Sequence, residues 1–394
     1  LGLVSQSKDV AGVLNPTYFA NYIDFNVIFL LISMMIIVLI TTRSGVFNWI
    51  ANELLKFTKG HPVKILCVLG LFTAITSSFL DNVTTVILVM PITFVIAKTL
   101  ELDPIPFLIT EIVSSNIGGT ATLIGDPPNI IIGSAGGLSF MDFIKELTPI
   151  IAIILVAVII VLSFIFKKKL HANPEKMAEI SNIDNSHTIT DKSLMIRSTI
   201  TLGLVILGFM THDITHISTC VAAMFGAAFL LVFEKPSEIF KEVEWNTIFF
   251  FVGLFIIIGG LEATGGIRLM AEWIIKVTQG SQTATSMLVL WASGLISGII
   301  DNIPYTATMA PMLVEIQKTM GATYTYPLWW ALSLGACLGG NLTIIGAAAN
   351  VIVSENARKE GHFISFMEYL KYGTIVVLIS LVLSTVYIYA RFLR

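Results

Sequence analysis

Apolar runs dominate this chain, and their lengths set its architecture. A helix needs about 20 mostly apolar residues to cross a bilayer. Runs of that kind occur at 26–41, 150–166, 194–210, 217–233, 244–260 and 373–391. Between them lie apolar stretches with polar interruptions. Residues 63–99 are apolar except at Ser77-Ser78-Phe79-Leu80-Asp81-Asn82-Val83-Thr84-Thr85. Their two flanks are short, so the spacing predicts a re-entrant helical hairpin. Residues 104–132 are broken by Gly118-Gly119 and by Gly125-Asp126-Pro127-Pro128-Asn129, which predicts a transmembrane helix unwound partway across. Non-helical backbone survives at membrane depth only where protein buries it or a wet cavity satisfies it. Both interruptions therefore mark a binding site.

The pattern occurs twice. A shift of 220 places Asn26-Val27-Ile28-Phe29 on Asn246-Thr247-Ile248-Phe249, Gly45 on Gly265, Gly60 on Gly280, Asp81-Asn82 on Asp301-Asn302 and Pro91 on Pro311. A shift of 221 places Gly118-Gly119 on Gly339-Gly340, Thr122 on Thr343, Gly125 on Gly346 and Asn129 on Asn350. Two apolar helices alike by chance would not keep Gly, Asp, Asn and Pro in step, so the chain is an internal duplication. The polar stretch 167–193, interrupted by Pro174, separates a first repeat at 1–166 from a second at 194–394. With this linker in the cytoplasm, most loop Lys and Arg fall on its side, as the positive-inside rule requires. The first hairpin then opens inward and the second outward. The predicted fold is an all-α polytopic membrane protein of inverted repeats, each with a re-entrant hairpin and a broken transmembrane helix, and its predicted location is the plasma membrane. Residues 194–233 supply two spans whose counterparts would precede Leu1. An N-terminal helix or two is therefore expected to be missing, or the halves are unequal.

Composition agrees and removes other classes. The hydrophobic fraction is 55% and the charged fraction 12%, half of what a water-facing surface carries. A net charge of −3 with no basic block beyond Lys167-Lys168-Lys169 leaves nucleic acid without an electrostatic footprint. Cys67, Cys220 and Cys337 are far apart in apolar sequence and read as small core residues. His212 and His216 have a zinc-compatible spacing but no further ligand nearby. Trp49, Trp245, Trp273, Trp329 and Trp330 fall at expected span ends and read as an interfacial belt.

The candidate chemistry sits in the interruptions. An ionisable residue within a span costs about 2.5–3.5 kcal/mol on insertion scales, which singles out Asp81 and Asp301. Asn82, Thr84 and Thr85 follow the first; Asn302, Tyr305 and Thr306 follow the second. Carboxylate, amide and hydroxyl oxygens at a helix break suit a proton or a hard monovalent cation, with Asp81, Asn82, Asp301 and Asn302 as a sodium site. The competing reading is that each Asp caps a half-helix; two at matched positions of a duplication favour the ion. Gly119, Thr122, Gly125 and Asn129 belong to the first break, and Gly340, Thr343, Gly346 and Asn350 to the second. Carbonyls freed there can coordinate an ion, and half-helix N-termini can hold an anion. Asp126 has no acidic counterpart, since Ala347 holds its repeat position. It reads either as a third ligand or as the cap of the helix that begins at Pro127. Glu111, inside a span, is a weaker candidate.

With their motifs Asp81-Asn82-Val83-Thr84-Thr85, Ser115-Asn116-Ile117-Gly118-Gly119, Gly125-Asp126-Pro127-Pro128-Asn129, Asp301-Asn302-Ile303-Pro304-Tyr305-Thr306 and Gly335-Ala336-Cys337-Leu338-Gly339-Gly340-Asn341, both halves resemble the ion transporter superfamily. The pattern is similar to the arsenite permease and sodium/proton antiporter group, nearest to the melanosomal P protein branch. The resemblance implies a scaffold domain, a mobile transport domain holding both hairpins, a homodimer and elevator-like alternating access. The citrate and dicarboxylate branch has Ser-Asn-Thr at its hairpin tips, where this chain has Asp81 and Asp301. No Lys or Arg occurs within 77–92, 111–135, 297–312 or 335–353. A site of acids without bases suits a proton, sodium or a neutral solute such as arsenite; a polyvalent anion would need bound cations to offset repulsion. The expected function is thus a proton- or sodium-coupled secondary transporter of a small inorganic ion or small organic anion, not an enzyme and without other cofactor. The alternatives are a carboxylate transporter, an anion channel and an intramembrane aspartyl protease using two aspartates as a dyad.

Overall fold

The computed structural model describes residues 22–181, 185 and 188–394. Among them there is no strand. The first half contains α1 (Phe25–Arg43), α2 (Val46–Phe57), α3 (Pro62–Ser77), α4 (Asn82–Leu100), α5 (Ile105–Gly119), α6 (Pro127–Gly136), α7 (Phe140–Glu146) and α8 (Thr148–Phe166). The stretch between the halves carries a short helix, α9 (Pro174–Ser181). The second half opens with α10 (Lys192–Met210), α11 (His212–Thr215), α12 (Thr219–Leu231) and α13 (Pro236–Glu242). It continues as α14 (Trp245–Ala263), α15 (Gly266–Val277), α16 (Gln282–Ile296), α17 (Asn302–Met320), α18 (Ala322–Gly339), α19 (Ala348–Lys359) and α20 (Phe366–Phe392).

The duplication is written into these bounds. Adding 220 to the limits of α1, α2, α3 and α4 gives α14, α15, α16 and α17 to within a residue. The same local chemistry sets both copies. Gly45 and Gly265 open α2 and α15 at φ values of 80° and 79°, a conformation that costs glycine nothing. Asp81 and Asp301 cap α4 and α17, and Pro91 and Pro311 lie inside those helices. Both hairpins are therefore helix–break–helix, and both following helices are unwound, at 120–126 and 340–347.

Six described helices are long and apolar enough to cross a membrane: α1, α4, α8 with its final lysine turn, α10, α14 and α20. The expected span at 217–233 is shorter than its apolar run. Ser218 caps α12 at one end, and the helix stops at Leu231, 13 residues on, or about 20 Å of rise. Outward faces are apolar: Ile196, Ile200 and Leu204 on α10, Phe225 on α12, and Phe249 and Ile257 on α14 are all exposed. Such a patchwork would be an aggregation liability in water and is what lipid contact requires.

The core of each repeat is the broken helix clasped by the first arm of its hairpin. Gly118 makes this possible in the first repeat, because a Cβ there would lie 2.1 Å from the Ala74 carbonyl oxygen. In the second repeat, added Cβ atoms on Gly335 and Gly339 would lie 2.5 Å from the carbonyls of Leu290 and Gly294. The linker packs on the first repeat: the Thr190 amide donates to the Ser44 carbonyl at 3.1 Å, and Asn185 donates to Glu53 at 2.7 Å.

The aromatic belt needs one correction. Trp49, Trp245 and Trp273 are exposed, but Trp329 and Trp330 are buried in the middle of α18. Trp330 packs edge-on against Phe143, and Trp329 covers Gly136. A hairpin-clasped helix has no lipid face, so its tryptophans serve as packing volume rather than as anchors.

Candidate functional site

Five described helices begin at one cavity of about 310 Å³. The residues just before them, Asp81 of α4, Asp126 of α6, Glu244 of α14, Asp301 of α17 and Ala347 of α19, all line it, together with Asn82, Asn246, Thr247 and Asn302. Each N-terminus contributes roughly half a positive charge. That offsets the mutual repulsion of four carboxyl groups in one small space. Among the lining residues there is no Lys, Arg or His.

The capping and functional readings of the hairpin aspartates turn out to be compatible. Asp81 accepts from the Thr84 amide at 2.9 Å and from the Thr84 hydroxyl at 2.6 Å. Asp301 accepts from the Ile303 amide at 2.9 Å through one oxygen. Its backbone is held at φ 55°, ψ 133°, a strained conformation for a residue with a Cβ and one that clusters at functional sites. Asp126 is different. Although it precedes α6, its side chain makes no cap hydrogen bond. It is 1% exposed and accepts instead from the Asn302 amide, at 3.2 and 3.5 Å. A tip residue of the second hairpin thus reaches the break of the first repeat. Of the two readings of Asp126, the geometry removes the cap.

Behind this first layer, the two breaks are built alike. The Asn129 amide donates to the carbonyls of Thr120 and Thr122 at 3.1 and 2.8 Å; the Asn350 amide donates to those of Gly340 and Thr343 at 2.7 and 2.9 Å. The Thr122 hydroxyl donates to the Ser78 carbonyl and the Thr343 hydroxyl to that of Gly298, so each break is tied to its own hairpin. The remaining amide oxygens tie repeat to repeat. Asn116 donates to the oxygens of Asn350 and Asn341 at 2.9 Å each, and Ser333 donates to Asn129 at 2.6 Å. Asn82 joins the same system by donating to Asn116 at 3.2 Å.

The expected site residues therefore separate into two layers. Asp81, Asn82, Asp126, Asp301 and Asn302 face the cavity. Thr122, Asn129, Thr343 and Asn350 shape the breaks behind it, and Gly119, Gly125, Gly340 and Gly346 let the strands of each break touch. Thr84 holds Asp81 and also lines a second cavity. Thr85 and Thr306 are fully buried with unpartnered hydroxyls among the described residues and do not line the site. Sequence reasoning missed Glu244, Asn246 and Thr247 as lining residues. The signal was present: Asn246 is a repeat match of Asn26, and Glu244 matches Asp24, which caps α1 and accepts from Ser134. The His212 ring nitrogen contacts the Ile217 carbonyl at 2.7 Å.

Two further cavities are repeat mates. One, about 840 Å³, is lined by Thr42, Asn48, Pro91 and Val95. The other, about 450 Å³, is lined by Glu262, Arg268, Pro311 and Glu315. These are the same positions shifted by 220. Glu244 borders both the larger cavity and the site, and Thr188 of the linker lines the larger cavity.

Comparison with known proteins follows the same lines. Residues 1–335 match the citrate transporter family. Proteins of Mycobacterium bovis and Mycobacterium tuberculosis, each described as an uncharacterized transporter, are 43% identical over 373 residues, covering 94% of this chain and 87% of theirs. The P protein of Mus musculus is 31% identical over 452 residues, spanning 94% of this chain and 54% of that protein. The crystal structure of the Alcanivorax borkumensis YdaH transporter, described as having an unusual topology, matches with a TM-score of 0.62. The match covers 95% of this chain and 89% of that one at 12% identity, and so speaks to fold alone.

Proposed function

We propose, from the premise that this chain belongs to the citrate transporter family and is a multi-pass membrane transporter, that it is a secondary active transporter coupled to protons or sodium. One observation carries the reading. A single cavity holds carboxylates from both repeats and no fixed positive charge, and two further cavities, which we read as its vestibules, are related by the repeat. Carboxylate oxygens of Asp81, Asp126, Asp301 and Glu244, with the amide oxygens of Asn82 and Asn302, are the kind of ligands a monovalent cation needs. Rocking of the hairpin-bearing elements against α1 and α14 would open the vestibules in turn, the alternating access of inverted-repeat transporters. A homodimer, which the family resemblance implies, and a cytoplasmic linker, which the Lys and Arg balance of the loops supports, complete the picture.

A second reading has its own support. Five helix N-termini meet at the cavity, and that arrangement also favours an anion. A small carboxylate entering together with cations is therefore the alternative cargo, and arsenite or another neutral solute the other. A channel is disfavoured because it would need a continuous pore rather than two hairpins closed from opposite sides.

Reconstitution into vesicles loaded with a pH dye, with sodium, lithium, arsenite and citrate tested in turn, checks this reading. Saturable exchange driven by one of these gradients is expected. The cavity's ionisable groups are all carboxyl groups, so protons compete with a bound cation, and turnover should fall as the medium is acidified. Should the proton itself be the driver, flux follows the pH gradient instead. A non-saturating conductance, or a rate indifferent to pH, sodium and any gradient, would overturn the proposal.

A further inference from the structure

The mechanism above leaves one buried acid unused. Glu111, near the middle of α5, is 0% exposed. One carboxyl oxygen accepts from the Thr93 hydroxyl on α4, and the other has no partner among the described residues. We propose that Glu111 is a proton-binding site of the transport cycle, separate from the cation cavity and buried between α4 and α5.

No charged side chain among the described residues acts on it. The elements packed against α5 are α3, α4, α8, α18, α19 and α20. Helices α8 and α18 contain no charged residue. Lys64 of α3, Lys98 of α4 and Glu355, Arg358 and Lys359 of α19 are exposed, while Glu368 and Arg391 of α20 are paired elsewhere and Lys371 is exposed. The other titratable groups on these faces are thiols and phenols, of which Tyr369 is buried with an unpartnered hydroxyl. A bare carboxylate in such a place costs several kcal/mol. A proton taken up on the orphan oxygen removes the charge and supplies a donor.

Packing does not require the acid. In the second repeat the position matching Thr93 is Leu313, and that matching Glu111 is Ala331 at a shift of 220 or Leu332 at 221. The corresponding helices, α17 and α18, pair with apolar side chains there, all fully buried. The fold builds the same contact without Glu111, so its presence in one repeat points to function. Polar groups also lie on the side of the pair that faces the cavity. Thr85 and Ser114 are fully buried, carry unpartnered hydroxyls, and sit on α4 and α5 between this pair and the hairpin tip. Thr85 is eight residues from Thr93, about 12 Å along the helix, and one turn from Asp81.

The proposal rests on the coupled transport argued above, but its primary test does not. Infrared difference spectra between acid and alkaline buffer, taken on the full chain in lipid vesicles, should contain a carboxylic C=O band that is absent in Glu111→Gln. The band should move in Thr93→Val, which loses the hydrogen bond, and stay in Glu272→Gln, an exposed control. Glu111→Gln should keep the wild-type thermal midpoint yet lose the pH dependence of flux. An unchanged band in Glu111→Gln, or wild-type pH dependence in that variant, would overturn the assignment. Failure of the wild type to transport would count against the coupling and leave the band to decide on Glu111.

Discussion

Asp81→Asn and Asp301→Asn should each abolish cation-coupled transport while leaving a folded protein, and Asp126→Asn should do the same. The first two substitutions isolate charge from structure, because Asn caps a helix as well as Asp. The bonds to the Thr84 and Ile303 amides therefore persist. What is lost is the negative oxygen facing the cavity. At Asp126 the loss is larger locally, since Asn302 donates into a fully buried carboxylate. A hydrogen bond to a charged group contributes about 1.5–3 kcal/mol, which alone is roughly a tenfold to hundredfold effect on site occupancy. Flux in vesicles and a thermal midpoint on the same preparations check this. Wild-type rates in any of the three well-folded variants would remove that carboxylate from the mechanism.

Much of this site was legible before the fold. The Asp-Asn tips, the Gly-Gly breaks and the 220-residue repeat are local patterns, and polar residues inside apolar runs are conspicuous because lipid penalises them. What was not legible depends on contacts distant in sequence. Asp126 read equally well as a cap, and only Asn302, 176 residues away, decides otherwise. Glu244 lies at the start of a span, outside every interruption, and only the fold puts it in one cavity with Asp81. Trp329 and Trp330 read as anchors because hydropathy reports that a segment is apolar, not whether its neighbours are lipid or helix. The Asn116–Asn350 bond spans 234 residues, and the repeat pattern does not say which residues of the two halves touch.

Gly119→Ala is the second substitution with a large expected effect. Its Cβ would fall 2.3 Å from the Asn82 side-chain oxygen and 2.7 Å from the Gly125 carbonyl. The second neighbour is backbone and cannot swing away. Overpacking of this kind costs about 1–3 kcal/mol, and relief would push Asn82 off Ser77 and Asn116. Transport should be lost and the thermal midpoint should fall by several degrees. Gly260→Ala, where a Cβ meets nothing within 4 Å, is the control and should be neutral or slightly stabilising, as alanine is in a helix. A Gly119→Ala protein with wild-type midpoint and flux would mean that the break relaxes more freely than its packing implies.

The central claim is that one site is served in turn by two vestibules on opposite faces. Sided labelling of a single cysteine tests it most directly. Val83 borders the site cavity, so Val83→Cys in a background without Cys67, Cys220 and Cys337 can be offered a membrane-impermeant maleimide from either face. The expected result is reaction from the linker face, to which the larger vestibule leads, and reaction from the other face once the driving gradient is reversed, with no accompanying conductance. Labelling from one face alone under every gradient, in a variant that still transports, would contradict alternating access.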